Sequence, residues 1–323
     1  MRARDDWADV GKGLAIVGVV LFHGISLAQE TPFASPWAAI GQGLFLFIMP
    51  VFFLMSGVYG ARRLELQWWQ FTQTRIWPIA YLFVAWSLVY GMLYWVTDGT
   101  FGASLLDSFR LQSTLWFLFA LALYWAIAWV MQRLSVPPIV QVAGSALLAL
   151  PFAVWFPFSA VGLGHSPHFL VWFLTGCCYG TALLSWKRTA SWGWVAGSIA
   201  AVVLLVGVTR LVPRSGNYVY AMLAVPAVAL VLIAARWISA TRWMGSAFST
   251  IGRASLVIYL LHPLVQSAIS VVINRFGHAS SALAAGLPVI DVVIAVPLGL
   301  FVARHMSGAP LLFKAPRLGR VRY

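Results

Sequence analysis

The sequence predicts an all-α polytopic membrane protein of about ten transmembrane helices, with both termini in the cytoplasm. Three observations carry this. Of the 323 residues, 61% are hydrophobic and only 9% charged, where soluble domains are roughly a quarter charged; the mean hydropathy is +0.87. Apolar runs of about 20 residues, the length that crosses a bilayer as a helix, recur along the whole chain. The lysines and arginines fall very unevenly between alternate connections.

Spans are expected at 10–29, 38–60, 76–97, 113–132, 138–157, 167–185, 192–212, 217–236, 250–274 and 285–304. With the N-terminus inside, the outer connections hold only Arg110, Arg210, Arg214 and Arg275, and the inner side holds the other 17 of 21 cations. Short cytoplasmic loops retain Lys and Arg, so this asymmetry orients the chain. The 17 Trp and 10 Tyr suit the aromatic belts at the two membrane surfaces. The net charge of +13 marks inner loops rather than a nucleic-acid surface, because no basic arm with interleaved aromatics lies outside the apolar segments. Membrane lipids are the expected surroundings, and no nucleic-acid partner is expected.

Taken in order, the first run follows Arg2 and Arg4 and ends near Ser26-Leu27-Ala28, the outline of a signal peptide. His23 and four glycines within the run (Gly11, Gly13, Gly18, Gly24) favour a retained span instead. The second span contains Pro50, expected to kink it, then Phe52-Phe53 and Ser56-Gly57. The third opens on Arg75-Ile76-Trp77-Pro78. Cys177 and Cys178 are adjacent in an apolar run far from any histidine cluster, so neither a disulfide framework nor a metal site is expected. Gly176-x-x-x-Gly180 has the spacing of a helix-packing pattern. The ninth span is expected to carry both Arg253 and His262, half a turn out of phase. Residues 1–307 read as one transmembrane domain and 308–323 as a short, basic, solvated cytoplasmic tail. No internal repeat is visible, which weakens a transporter of inverted repeats.

Ionisable residues inside spans are costly and mark functional sites by default. His23 is one: a neutral imidazole takes a proton near neutral pH, although packing by a hydrogen bond to a neighbouring helix would also account for it. Lys12 is eleven residues earlier. At about 100° and 1.5 Å per residue the two share a face and stand about 16 Å apart. Lys12 either snorkels to the interface or holds a phosphate, and Asp9, three residues before it, is placed to pair with it. Glu30, seven residues past His23, is nearly on the same face at the outer mouth, or else is an exposed loop acid. His262 reads as a structural hydrogen-bonding residue.

Together these stretches resemble the acyltransferase-3 family of integral membrane acyltransferases. Its first-span pattern is met by Asp9, Lys12-Gly13 and His23. Phe52, Phe53, Ser56 and Gly57 match a second pattern, Arg75 and Pro78 a third, and Leu115-Trp116-Phe117-Leu118 a fourth. The last is met by Gly252, Ser255, Leu256, Tyr259, Leu260 and His262. The resemblance runs from residue 4 to about 305. Two positions depart from it. Lys12 stands where many members have Arg, and Thr72 stands where members often have the first of two arginines.

The resemblance implies a stand-alone O-acyltransferase in a bacterial inner membrane, with no fused soluble domain. It implies acyl-CoA, acetyl-CoA by default, as donor on the cytoplasmic side, and a hydroxyl of a glycan or lipid-linked glycan as acceptor. His23 would be the general base, with Glu30 at the acceptor side. Lys12, Arg75 and Arg253 would hold the donor's phosphates. Asp9, Ser56, Trp116, Ser255, Tyr259 and His262 would support or position substrate, with Ser56, Tyr259 and Trp116 as candidate oxyanion donors. A polytopic transporter using His23 for solute or proton coupling is the alternative, and a structural membrane partner without catalysis is a third.

Overall fold

A computed structural model describes residues 6–28, 34–98, 102, 114–155, 166–189, 191–211, 216–276, 281–305 and 310–316. Among the described residues the chain is helical throughout its regular structure, with no strand. Each of the ten expected spans overlaps helical structure, the second and the ninth taking in two α-helices each. Eight are long and apolar enough to cross a membrane, and the apolar stretches Pro138–Pro151 and Trp192–Val208 are shorter. The chain divides into two compact units, Met1–Phe52 with Ser185–Met306, and Phe53–Leu184 with Ser307–Tyr323.

The first unit is built around α1 (Asp6–Gly24), which a 3-10 turn, Ile25–Ala28, extends. Helices α2 (Ala34–Phe45), α9 (Gly216–Ser239), α10 (Arg242–Arg253), α11 (Ser255–Phe276) and α12 (Ser281–His305) all pack against α1, and α8 (Trp192–Leu211) packs on α9. Lipid is as apolar as leucine, so helices here gain little from burial alone and need close approach instead. The glycines of α1 supply it. An added Cβ at Gly13 would run into the carbonyl of Phe248, and one at Gly252 into the carbonyl of Asp9. Helices α1 and α10 therefore cross backbone to backbone. At the other end of α1, a Cβ at Gly24 would stand 3.0 Å from Asp291 Oδ2 and 3.2 Å from Pro288 Cα. The Trp7 indole donates to the Leu232 carbonyl of α9 at 2.8 Å.

Helix α10 was not anticipated, and it corrects the expected ninth span. That span begins at Ser255, not at 250, because the chain turns at Ala254. Arg253 therefore ends one helix and His262 lies in the next, so no single helical phase relates them. Helix α10 buries only Gly245, Ser249 and Gly252 and leaves Trp243 82% exposed. Such a two-faced helix suits the membrane surface rather than its interior.

The second expected span is also in two pieces, α2 and α3 (Ile48–Gly60), separated by a turn in which the Phe47 N–H donates to the Leu44 carbonyl. Pro50 is consequently in the first turn of α3, where its missing N–H breaks no helical bond. It helps a helix start and does not kink one.

The second unit holds the rest of α3, then α4 (Trp77–Asp98), α5 (Trp116–Arg133), α6 (Pro138–Trp155) and α7 (Ser166–Thr189). Its centre is aromatic. Phe53 is fully buried, with ring centroids 4.9 Å from Phe117, 4.9 Å from Tyr124 and 5.6 Å from Phe169. Helices α3 and α7 cross at Gly57 and Gly176, whose added Cβ atoms would meet the carbonyls of Phe173 and Leu54. A π-turn, Thr72–Ile76, leads into α4, with the Trp77 N–H donating to the Thr72 carbonyl. Pro78 accounts for it, since the carbonyl of Thr74 has no N–H four residues on. Residues 311–316 are largely exposed but are tied down at two points. The indoles of Trp77 and Trp86 donate to the carbonyls of Pro316 and Leu312 at 2.8 and 2.7 Å. Arg317, Arg320 and Arg322 lie outside the described residues.

Candidate active site

The polar residues of the first unit gather at the two ends of α1. At its N-terminal end, Lys12 Nζ stands 3.7 Å from Asp9 Oδ1, with the lysine side chain 28% exposed and Asp9 buried. The α1–α10 crossing brings Arg253 to the same end. Its guanidinium donates to Ser249 Oγ at 2.6 Å and to Thr250 Oγ1 at 3.0 Å, and stands 3.7 Å from Asp6. Arg253 is 40% exposed, a surface cation held in one orientation by its own helix. Glycine at 252 is what allows this, since only a bare backbone fits against Asp9.

His23 sits in the last turn of the regular helix, not in mid-helix, with Gly24 closing it. The His23 carbonyl accepts from Ser26 Oγ at 2.8 Å. The imidazole stands edge-on to Phe22, centroids 5.4 Å apart, and 5.2 Å from the ring of His262. Because the α-helix ends at Gly24, helical phase does not carry on to Glu30, which lies outside the described residues.

His262 reaches this position through its neighbour. Pro263 has no N–H to give the carbonyl four residues back, which is that of Tyr259. The freed carbonyl takes a hydrogen bond from His262 Nδ1 at 2.7 Å. A carbonyl only accepts, so Nδ1 carries the proton and Nε2 of the neutral ring is left with a lone pair. That Nε2 is buried and meets no hydrogen-bond partner among the described residues. His262 thus makes the structural hydrogen bond expected of it, and its Nε2 remains an acceptor. One face of α11 carries Ser255, Tyr259, His262 and Gln266 at helical spacing. Ser255 is half-buried, and the Tyr259 ring lies 5.9 Å from that of His262.

Sequence reasoning missed Asp291 and Gln266. Asp291 of α12 is fully buried, and its Oδ2 accepts from Gln266 Nε2 at 3.1 Å. The signal was present: of the eight acidic residues, Asp291 alone falls inside an expected span, and such a residue is a functional candidate on cost alone.

In the second unit, Arg75 projects from the π-turn. Its Cζ lies 4.9 Å from the centre of the Trp125 ring, a cation–π arrangement. Gly60 makes room, since a Cβ there would strike the Trp125 ring and approach Arg75 Nη2 at 3.3 Å. Arg75 Nε and Thr72 Oγ1 are buried with no hydrogen-bond partner among the described residues. A buried guanidinium N–H with nothing to donate to is the chemistry an anionic oxygen satisfies. Ser56 is half-buried beside the Gly57–Gly176 crossing. Trp116 packs on Phe53 and Phe169, with centroids 6.3 and 5.6 Å away.

A family model described as an acyltransferase domain matches residues 5–303. No curated protein and no solved structure matches the chain. The match takes in every helix from α1 to nearly the end of α12, with all the intramembrane polar residues described above. The chain is therefore an integral, multi-pass membrane acyltransferase and belongs to the acyltransferase-3 family.

Proposed function

We propose that the chain transfers an acyl group, acetyl in the first instance, from acyl-CoA on the cytoplasmic side of a bacterial inner membrane to a hydroxyl of a glycan or lipid-linked glycan, with His23 as general base. The observation that carries this reading is the placing of His23: a histidine in the last turn of a membrane helix, its ring 5.2 Å from that of His262, on the face that bears Lys12 about 16 Å away. An extended pantetheine arm is of comparable length. Lys12, Arg253 and Arg75 are the cations offered to the donor's phosphates. Arg75 is supported by its orphaned Nε, and Lys12 by its place on the face of His23.

The step balances simply. The acceptor oxygen attacks the thioester carbonyl as His23 takes the hydroxyl proton. The C–S bond then breaks, and the proton goes to the leaving thiolate, giving ester and free CoA. Such general acid–base help supplies about 10²–10⁴-fold in rate.

Replacing His23 by Ala tests the reading. Membranes containing the variant at normal abundance should incorporate no label from radioactive acetyl-CoA. Undiminished incorporation would remove His23 from the chemistry. Mass analysis of surface glycans with and without the gene identifies the acceptor.

A further inference from the structure

Two buried acceptor atoms lie on the helices around His23, and neither is used by the step above. Asp291 is fully buried in a membrane span, and its one described hydrogen bond, from Gln266, occupies Oδ2. Its Oδ1 is buried and unpartnered among the described residues. His262 Nε2 is in the same position, and the Tyr259 carbonyl holds its ring in the tautomer that makes Nε2 an acceptor. Gln266 is one turn beyond His262 on the same face of α11, so the two acceptors hang from one stripe. The hydrocarbon interior offers no water to satisfy them, and an orphaned polar atom there is costly.

The placing is specific to α1. Asp291 and Pro288, one turn apart on α12, both press on Gly24, where any side chain would meet the carboxylate. Gly24 is the residue next to His23, and the His262 ring lies 5.2 Å from the His23 ring. Acceptor atoms on two helices thus flank the base on the third.

We propose that Asp291 and His262 form the acceptor-binding half of the reaction centre. Asp291 Oδ1 accepts a hydrogen bond from a hydroxyl other than the one acylated, and Gln266 holds the carboxylate in place. The substrate class is then a neutral, polyhydroxylated acceptor. A simple alcohol lacks the second donor, and an acidic group at that place would face a carboxylate. This inference rests on His23 being the base and adds the residues that orient what the base acts on.

The test uses full-length protein, radiolabelled acetyl-CoA and a titrated lipid extract of the native membranes as acceptor. Asp291→Asn keeps the shape, but with its oxygen on Gln266 it turns an NH₂ donor towards the substrate hydroxyl. Its apparent KM for the extract should rise about tenfold or more, the loss expected for a hydrogen bond to a charged group. Its KM for acetyl-CoA should stay within about twofold, as for a residue that does not touch the donor's phosphates. Gln266→Met, which frees Oδ2 without adding charge, should shift the same acceptor constant less. An unchanged acceptor constant in Asp291→Asn, or equal changes for donor and acceptor, overturns the subsite. If Asp291→Asn fails to accumulate, Gln266→Met decides: an unchanged acceptor constant there also overturns it. The His23→Ala variant, run in parallel, separates this failure from failure of the general base, since only the latter leaves transfer intact in His23→Ala.

Discussion

The imidazole rings of His23 and His262 lie 5.2 Å apart, inclined at 48°, although 239 residues separate them in the chain. One ring ends α1 and the other is fixed by the carbonyl that Pro263 frees. His262→Phe keeps a ring of similar size and removes Nε2. The expected result is a folded protein whose transfer rate falls by about 10–100-fold, less than the 10²–10⁴-fold loss of His23→Ala. Initial rates at saturating acetyl-CoA, normalised to protein in the membrane, measure both.

Pro263→Ala probes the same device from behind. It restores an N–H to compete for the Tyr259 carbonyl, so the His262 tautomer is no longer imposed. Activity should fall while thermal stability in detergent rises or holds, because a helical backbone hydrogen bond has been restored.

Gly24→Ala places a methyl about 3.0 Å from Asp291 Oδ2 and 3.2 Å from Pro288 Cα. Helix α12 has to retreat by a few tenths of an ångström. Overpacking of this kind costs about 1–3 kcal/mol, and small displacements near a reacting centre cost up to about 10²-fold in rate. The expected variant unfolds at moderately lower temperature and loses activity out of proportion to that.

Arg75→Lys preserves charge but not the flat face over Trp125 or the bidentate fork. We expect the KM for acyl-CoA to rise about tenfold while that for the acceptor holds. The opposite split would place Arg75 on the acceptor side.

Trp86→Phe removes one of two indole donors that hold residues 310–316. A hydrogen bond of this kind is worth about 1 kcal/mol. Limited proteolysis should then clip the C-terminal segment faster, with acyl transfer unchanged.

The ten spans were legible because hydropathy over about 20 residues is a bulk property that survives errors of boundary. Helix α10 was not. Its mean hydropathy is low, so a window of span length passes over it although its apolar residues lie on one side, and its buried face is the small residues Gly245, Ser249 and Gly252. Missing it put Arg253 and His262 on one helix and gave them a phase they do not have. Lys12 and Asp9 were legible because i, i+3 pairing is local. The His23–His262 proximity was not, because it depends on where α11 packs and on a ring orientation set by Pro263. Asp291 needed only the rule that charge inside a span has a purpose.

The crossing of α1 and α10 has a mechanical consequence. Gly13 and Gly252 lock two backbones together with no side chain between them to deform. A side chain at either position would force the two helices apart, so the close crossing depends on both staying bare. The interval from Lys12 to His23 is thus a length ruled on a rigid bar whose zero mark is pinned at the membrane surface. On the proposed function, a donor gripped at that mark is measured out to the same depth every time, whatever acyl chain it carries beyond.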